Sequence, residues 1–188
     1  MGYYDGEKNV QEYTKLAEEY DATELINILL KYLKEESTLL ELGMGPVKDL
    51  DILRRYYKAT GSDSSQIFVN RYKKIHPEVD ILQIDATDIR IQQKFDCIFS
   101  NKVLIHLTKE ECKSSLEQQK NILTPKGILF HTFWYGTTTE NHDGMLFTYY
   151  TEDYLRKMVE KYYNIIRLER YSEMEKDDSI LLILQNNE

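Results

Sequence analysis

The sequence predicts an α/β fold: a doubly wound, seven-stranded, mostly parallel sheet with helices on both faces and a closing antiparallel hairpin. β-prone runs alternate with helix-spaced apolar residues along most of the chain, and this alternation is typical of a parallel sheet. Residues 128–134 are almost continuously apolar, as expected of a strand that is covered on both faces. Two strand-like runs end the chain without a helix between them, which indicates antiparallel pairing.

The first part of the chain predicts two helices and then three strands. Residues 9–20 and 24–33 carry apolar side chains at helical spacing and indicate the opening helices. A β-prone run at 38–42 ends in a glycine turn, after which a helical pattern resumes. Further strands are predicted at 59–63 and 79–85, with a helix between them.

The next elements are a fourth strand, a helix and the central strand. The fourth strand is predicted at 95–100. Thr108 and Glu111 have the spacing of a capping box, so we expect a helix to begin there. Residues 125–127 are Pro, Lys and Gly, and they are predicted to stop this helix before the strand at 128–134.

The last part of the chain predicts a long loop, a helix and two strands. Residues 135–150 are expected to form a loop that is longer than the usual connection. A helix is predicted at 151–162. The strands at 165–169 and 179–184 then form the closing hairpin.

Composition limits the possible functions. The 188 residues fit a single domain over 1–188, of which 1–36 form an N-terminal helical segment. A net charge of −8 disfavours nucleic acid as a partner, because the phosphate backbone attracts clustered Lys and Arg. Two cysteines and four separated histidines predict neither a disulfide framework nor a metal site. Because no apolar run resembles a signal peptide or reaches the roughly 20 residues of a membrane span, we expect a cytoplasmic protein. We also expect a monomer or a homodimer.

The turn after the first predicted strand has the composition of a ligand-binding turn. Residues 41–46 read Glu-Leu-Gly-Met-Gly-Pro. Gly43 and Gly45 allow the backbone to turn sharply and to approach a ligand without a Cβ in the way. Glu41 places a carboxylate beside the turn, and a carboxylate suits a cationic ligand.

Acidic residues end the next two predicted strands. Asp63 is placed to accept hydrogen bonds from both ribose hydroxyls of an adenosine. The alternative is that Asp63 caps the next helix, with Gln66 completing a capping box. Asp85 and Ala86 offer a carboxylate for the adenine amino group and a backbone amide for a ring nitrogen.

These residues, together with 95–101, resemble the class I S-adenosylmethionine-dependent methyltransferases of the small-molecule type. In that family the fourth strand often carries an aromatic residue before Asp, as Phe95 and Asp96 do here. The resemblance covers residues 38–134 and implies a Rossmann-like fold. It also implies that the cofactor is S-adenosylmethionine, that its methyl group is transferred in line to a small molecule, and that S-adenosylhomocysteine is the product. The cofactor-binding residues that it implies are Tyr13, Glu41, Gly43, Met44, Gly45, Asp63, Ser64, Asp85, Ala86, Ser100 and Asn101.

Val47 departs from the family pattern, because a third glycine is usual at this position. We expect altered packing at this position and retained binding of the cofactor.

Two alternative functions stay open. Dinucleotide-binding oxidoreductases of the NAD type share the glycine turn, but their pattern needs a glycine at Lys48 and gives Glu41 no role. A catalytically inactive S-adenosylmethionine-binding module is the other alternative, and Val47 is the residue that favours it.

The resemblance places the acceptor pocket over the ends of the fourth and fifth strands. Its predicted substrate-binding residues are Lys102, Trp134, Tyr135 and His142. Aromatic rings can stack on an acceptor, although an aromatic residue at a strand end is as often plain packing. The fourth strand is not followed by Asn-Pro-Pro-Tyr, and no Pro-Cys pair occurs, so methylation of DNA bases is disfavoured.

No catalytic residue is required by the resemblance, because the methyl donor is already activated. A general base matters only for an acceptor that arrives protonated. Candidates are His106, His131 and Tyr135, although His131 lies within a strand and is more simply interpreted as a hydrogen-bonded core histidine.

The N-terminal segment 1–36 is predicted to cap the cofactor site, with Tyr3, Tyr4 and Tyr13 closing over it. The alternative is that Tyr13 belongs to the apolar face of a surface helix and that the first residues are frayed.

Overall fold

The computed structural model describes residues 6–17, 22–46 and 48–187, so Tyr3, Tyr4 and Val47 lie outside the described residues. In these ranges the elements are, in chain order, α1 (Glu7–Leu16), α2 (Thr23–Leu29), β1 (Thr38–Leu42), α3 (Lys48–Leu53), β2 (Lys58–Asp63), α4 (Gln66–Ile75), β3 (Ile81–Gln83), β4 (Phe95–Asn101), a 3₁₀ turn (Leu104–His106), α5 (Lys109–Lys120), β5 (Leu123–Trp134), β6 (Thr139–His142), β7 (Met145–Thr148), α6 (Glu152–Val159), β8 (Tyr163–Tyr171) and β9 (Ser179–Asn186). Among the helices of these ranges, none is long and apolar enough to cross a lipid bilayer.

Seven strands form one sheet in the order β3-β2-β1-β4-β5-β9-β8. β9 runs antiparallel to both of its neighbours, whereas the pairs from β3 to β5 are all parallel. This topology confirms the predicted fold class and its closing hairpin. The chain winds outward from β1 to β3 and then returns to β4, which lies beside β1. The strand order therefore reverses between β1 and β4, and ligands of such sheets bind at this reversal, beyond the carboxyl ends of the strands.

Helices cover both faces of the sheet. On one face, α2 and α3 pack against Leu39, Phe99 and Phe130. On the other face, α5 and α6 pack against Leu40 and Leu129. Neighbouring residues of one strand point to opposite faces, and here both faces are buried. This is why the central strands have nearly continuous apolar sequences.

α1 and α4 form a separate apolar cluster with the outer part of the sheet. Val10 of α1 and Phe68 of α4 are buried in it with Ile81 of β3. Arg71 of α4 also forms an ion pair with Glu7 of α1. These contacts hold α1 against the half of the sheet that contains β2 and β3.

The predicted helix start at Thr108 is confirmed as a capping box. Thr108 Oγ1 accepts a hydrogen bond from Glu111 N, and the Glu111 carboxylate accepts one from Thr108 N at 2.9 Å. Several strand boundaries differ from the prediction, and two of these differences have a local cause. β3 is limited to Ile81–Gln83, because the chain turns at Asp85. β5 begins at Leu123, ahead of the proline, and a register shift in its pairing with β4 accommodates Pro125.

The segment 135–150, predicted as a loop, contains a two-stranded hairpin formed by β6 and β7. β6 is fully exposed and polar, so it lacks the apolar alternation by which strands are predicted. Asp143 and Gly144 join the two strands with positive φ at both residues, 52° and 89°. An Asp-Gly pair is favoured in such two-residue turns, and it is the local feature from which this hairpin was predictable.

Candidate cofactor and active site

A pocket opens beyond the carboxyl ends of β1, β2 and β4, at the reversal of strand order. α1 and the 3₁₀ turn contribute further walls. The residues that line it are Tyr13, Leu42, Gly43, Gly45, Asp63, Ser64, Phe68, Ile84, Asp85, Ala86, Asn101, Lys102, Val103, His106 and Leu107. Most of the predicted cofactor-binding residues therefore lie at one place.

The glycine turn is held by hydrogen bonds from β2. Gly43 N and Met44 N both donate to the Ser62 carbonyl, at 2.9 and 2.8 Å. Gly43 has φ +76°, and a Cβ at this position would lie 2.6 Å from the methyl groups of Val103. Position 43 therefore requires glycine for two reasons, the backbone angle and the close packing of Val103.

Asp63 connects the end of β2 to this turn. Its Oδ2 accepts from Gly45 N at 2.9 Å, and its Oδ1 accepts from Ser65 N at 2.8 Å. Burial raises the pKa of the Asp63 carboxyl, and the two backbone hydrogen bonds oppose that shift. Gln66 pairs with Asn70 instead of completing a capping box, so the alternative role predicted for this pair is wrong.

Glu41 is buried beside the turn with an unsatisfied oxygen. The residue is 3% exposed, and no hydrogen-bond partner of its Oε2 occurs among the described residues. Burial raises the pKa of the Glu41 carboxyl well above its usual value, and the negative charges of Asp49 and Asp63 raise it further. A buried acceptor in an acidic setting is costly unless a cationic group pairs with it. These residues therefore fit a positively charged ligand.

Asp85 is held by a local turn at the outer end of the pocket. Its Oδ1 accepts from the backbone N and the hydroxyl of Thr87, at 2.8 and 2.7 Å. The carboxylate is exposed, and the next residue, Ala86, also lines the pocket. Asp85 and Ala86 therefore lie together in the wall of the pocket.

Tyr13 brings α1 to the pocket. Its ring packs edge-on against Phe68 with centroids 6.4 Å apart. Burial, followed by the charges of Asp49 and Asp63, raises the pKa of the Tyr13 phenol. The ring therefore lies close to the acidic group around the glycine turn.

Three predicted site residues have other surroundings. Ser100 and His131 are fully buried, and Ser100 Oγ hydrogen-bonds to His131 Nδ1 at 2.7 Å. His131 Nε2 bonds to Gln119 at 2.9 Å, and burial lowers the pKa of the imidazole to about 3. His131 therefore has the surroundings of a hydrogen-bonded core histidine. Met44 is buried with Leu50 in the cluster between α1 and α4.

Lys102 contributes to the pocket wall, but its ammonium group is engaged elsewhere. It forms an ion pair with Glu173 and donates to Tyr171 Oη and Ser179 Oγ at 3.0 and 2.9 Å. It also lies 3.8 Å from the ring centroid of Trp134. Burial lowers the pKa of the Lys102 ammonium, and Glu173 opposes that shift. The network joins the end of β4 to β8 and β9.

Of the four predicted substrate-binding residues, Trp134, Tyr135 and His142 lie outside the pocket lining. The guanidinium of Arg170 covers the ring of Tyr135 at 3.6 Å. His142 is exposed on β6, where its Nε2 lies 3.0 Å from a carboxylate oxygen of Glu140.

Asp49 was missed in the sequence analysis. It lies in the first turn of α3, where one carboxylate oxygen accepts from Asn101 Nδ2 and the other from Ala22 N, each at 3.1 Å. Acidic residues favour the first turn of a helix, and that preference was the available indication. Several apolar lining residues were also missed: Leu42, Phe68, Ile84, Val103 and Leu107.

The chain is similar to known methyltransferases in part of its sequence and in its fold. Residues 39–127 match the family model described as a methyltransferase domain. A comparison with curated protein sequences gives no match.

Many solved structures are similar, at identities that establish likeness of fold alone. The N-methyltransferase NodS of Bradyrhizobium japonicum, in complex with S-adenosylhomocysteine, is 16% identical with a TM-score of 0.70, over 88% of this chain and 85% of that chain. An S-adenosylmethionine-dependent methyltransferase of Clostridium acetobutylicum is 14% identical with a TM-score of 0.75, over 94% and 99%. The 1,6-didemethyltoxoflavin-N1-methyltransferase of Burkholderia thailandensis, with 1,6-didemethyltoxoflavin and S-adenosylhomocysteine bound, is 14% identical with a TM-score of 0.79, over 95% and 83%.

The matched domain includes the glycine turn, both strand-end acids and the whole of β4. The order of the strands and the antiparallel β9 form the rest of the fold that this chain shares with those solved structures. Residues 39–127 are therefore similar to a methyltransferase domain, and the fold of this chain is similar to that of the methyltransferases of known structure named above.

Proposed function

We propose that this protein binds S-adenosylmethionine in the pocket beyond β1, β2 and β4 and transfers its methyl group to a small-molecule acceptor. The observation that carries the proposal is the buried Glu41 carboxyl, whose Oε2 is unsatisfied beside the glycine turn. S-adenosylmethionine carries a sulfonium ion and an amino group. Its positive charge would give Glu41 Oε2 the cationic partner that this oxygen lacks.

The pocket residues fit the parts of this cofactor in order. Asp63 would hold the ribose hydroxyls, and Asp85 with Ala86 would hold the adenine edge. The turn from Gly43 to Gly45 would hold the methionine portion, together with Glu41, which is buried beside the turn and outside the pocket lining. Two proteins of similar fold were crystallised with S-adenosylhomocysteine, and they support this assignment.

The N-terminal segment contributes to the same site in this proposal. α1 supplies Tyr13 to the pocket wall, whereas α2 packs on the sheet with Leu39. We infer that 1–36 caps the cofactor through α1 and that 1–188 act as one domain.

The bound cofactor supplies an activated methyl group, so the residues of this chain chiefly align the acceptor and exclude water. Asn101 is fixed for this task. It donates to Asp49, and its own Oδ1 accepts from Thr132 Oγ1 at 2.7 Å. In-line attack requires such fixed walls, because the acceptor and the departing sulfur must lie on opposite sides of the methyl carbon.

A small molecule is the favoured acceptor. The pocket lies between α1, the glycine turn and the 3₁₀ turn, and the Burkholderia enzyme of similar fold binds the small molecule 1,6-didemethyltoxoflavin. The net charge of −8 disfavours nucleic acid.

Calorimetric titration with S-adenosylmethionine, S-adenosylhomocysteine and NAD tests the proposal. We expect both adenosyl ligands to bind and NAD not to bind. Asp63→Ala should weaken binding at least about tenfold, because a buried carboxylate that bonds a ligand contributes about 1.5–3 kcal/mol. Asp80→Ala is the matched control, since Asp80 is exposed at the opposite edge of the sheet. Tighter binding of NAD than of either adenosyl ligand would overturn the proposal.

Transfer is tested with labelled S-adenosylmethionine and the small-molecule fraction of a cell extract. A labelled small product is expected. Binding of the cofactor without transfer to any acceptor would favour the inactive module instead.

A further inference from the structure

His106 lies where the pocket meets the β6–β7 hairpin. It ends the 3₁₀ turn, lines the pocket and is partly buried. Its Nδ1 lies 2.8 Å from the carbonyl oxygen of Leu146, on β7. A carbonyl oxygen only accepts, so Nδ1 must carry the proton in this hydrogen bond. In the neutral ring, Nε2 is then the acceptor.

The hairpin fixes this ring from more than one side. The Phe147 ring meets His106 edge-on, with centroids 4.9 Å apart and planes at 77°. Thr148 Oγ1 donates to the Leu107 carbonyl at 2.7 Å, which joins β7 to the residue after His106. No hydrogen bond to His106 Nε2 occurs within residues 6–17, 22–46 and 48–187. Nε2 is therefore the ring atom left for a molecule in the pocket.

The surroundings of His106 favour a neutral imidazole. Burial lowers the pKa of the ring, and the hydrogen bond to Leu146 opposes that shift. The neighbouring charged groups are engaged with other partners. Lys102, at the end of β4, pairs with Glu173, and Glu140 of the hairpin lies against His142. A neutral imidazole with an unoccupied Nε2 is able to take up a proton.

We propose that His106 is the general base of the methyl transfer and that the acceptor is a small molecule whose attacking O–H or N–H group must lose its proton. This inference rests on the proposed function. The acceptor heteroatom forms a bond to the methyl carbon, and the bond from that carbon to sulfur breaks. The electron pair of the broken bond stays on sulfur, which becomes a neutral thioether. The proton of the acceptor passes to Nε2, and the imidazolium ion then releases it to water.

Two variants of the full chain test the role of the base. His106→Gln keeps a polar side chain and removes the basic nitrogen. His76→Gln is the matched control, because His76 follows α4 and packs on Tyr72, outside the pocket lining. With labelled S-adenosylmethionine and the small-molecule fraction of a cell extract, H106Q should lose about 100-fold or more of the transfer rate. Its affinity for S-adenosylhomocysteine should stay within about twofold of wild type, as expected when only the reaction step is affected.

A second measurement needs no acceptor. Nitrogen-15 NMR of the imidazole rings at pH 7, with S-adenosylhomocysteine bound, should show His106 neutral and protonated at Nδ1. A ring protonated at Nε2, or transfer by H106Q at the wild-type rate, would overturn the inference. Absence of S-adenosylhomocysteine binding in the wild type would overturn the proposed function and this inference with it. The titration therefore distinguishes the two failures.

Discussion

The Asn101 side chain donates from Nδ2 to Oδ2 of Asp49 over 3.1 Å, and this bond connects the end of β4 to the first turn of α3. Because Asp49 Oδ1 accepts from Ala22 N, the start of α2 is held by the same carboxylate. The two residues therefore couple the sheet edge at the pocket to the helices beside it.

Removing this bond should affect stability and binding together. Asn101→Ala leaves Asp49 and Thr132 with one partner fewer, so we expect a loss of about 1–3 kcal/mol in the free energy of unfolding and weaker binding of S-adenosylmethionine. Urea denaturation and calorimetry measure the two effects. Asn70→Ala, on the exposed side of α4, should change stability by less than about 0.5 kcal/mol. Equal effects of the two variants would contradict the coupling.

Gly43→Ala should be strongly destabilising. The new Cβ would lie 2.6 Å from the Val103 methyl groups, on a backbone with φ +76°. Crowding and backbone strain together should cost about 2–5 kcal/mol in the free energy of unfolding, measured by urea denaturation. Adding Val103→Ala should recover part of that loss, because it removes the two crowded methyl groups. Gly6→Ala is the control, since among the described residues no atom beyond the chain neighbours lies within 4 Å of a Cβ at that position.

Lys102 is expected to stabilise the fold through its buried ion pair. The side chains of Lys102 and Glu173 are only 12% and 13% exposed. Lys102→Met would leave the buried Glu173 carboxylate without its cationic partner, so the free energy of unfolding should fall by about 3–5 kcal/mol. The double variant with Glu173→Leu should recover much of this loss in chemical denaturation. Lys113→Met breaks the exposed pair with Glu117, and it should cost less than about 1 kcal/mol.

His131 should make the protein sensitive to acid. Burial lowers the pKa of its imidazole from 6.5 to about 3 in the folded chain. Below pH 6.5 the unfolded chain binds a proton at His131 that the folded chain does not bind, so this contribution to stability is present above pH 6.5 and is lost as the pH falls. The slope should be up to about 1.4 kcal/mol per pH unit. Urea denaturation at pH 7 and pH 5 should show a smaller difference for His131→Gln than for wild type, whereas His76→Gln should keep the wild-type difference.

Glu41 should release a proton when the cofactor binds. Its pKa is raised well above the usual value by burial and by neighbouring carboxylates, and a cationic ligand reverses that shift by favouring the charged form. At a pH between the pKa values of the free and bound states, calorimetry in buffers of different ionisation enthalpy should therefore reveal net proton release. Glu41→Gln should bind more weakly and release fewer protons. A proton count unchanged by this substitution would contradict the role of Glu41.

Several features of this protein follow from local sequence. The strand–helix alternation, the glycine turn and the capping box at Thr108 each depend on residues within a few positions of one another. The position of Asp63 and Asp85 in the pocket wall was also predictable, because the carboxyl ends of parallel strands meet at one edge. For these features, periodicity and turn chemistry are sufficient.

The tertiary structure decided which side chains reach the pocket. Ser100 and Asn101 are adjacent in β4, but Asn101 lines the pocket while Ser100 lies in the core against His131. Lys102 finds its carboxylate partner 71 residues away, at Glu173. His106 obtains its orienting carbonyl from Leu146, in a hairpin with one wholly polar strand. Such pairings join distant segments through the packing of the whole chain, and no local pattern encodes them.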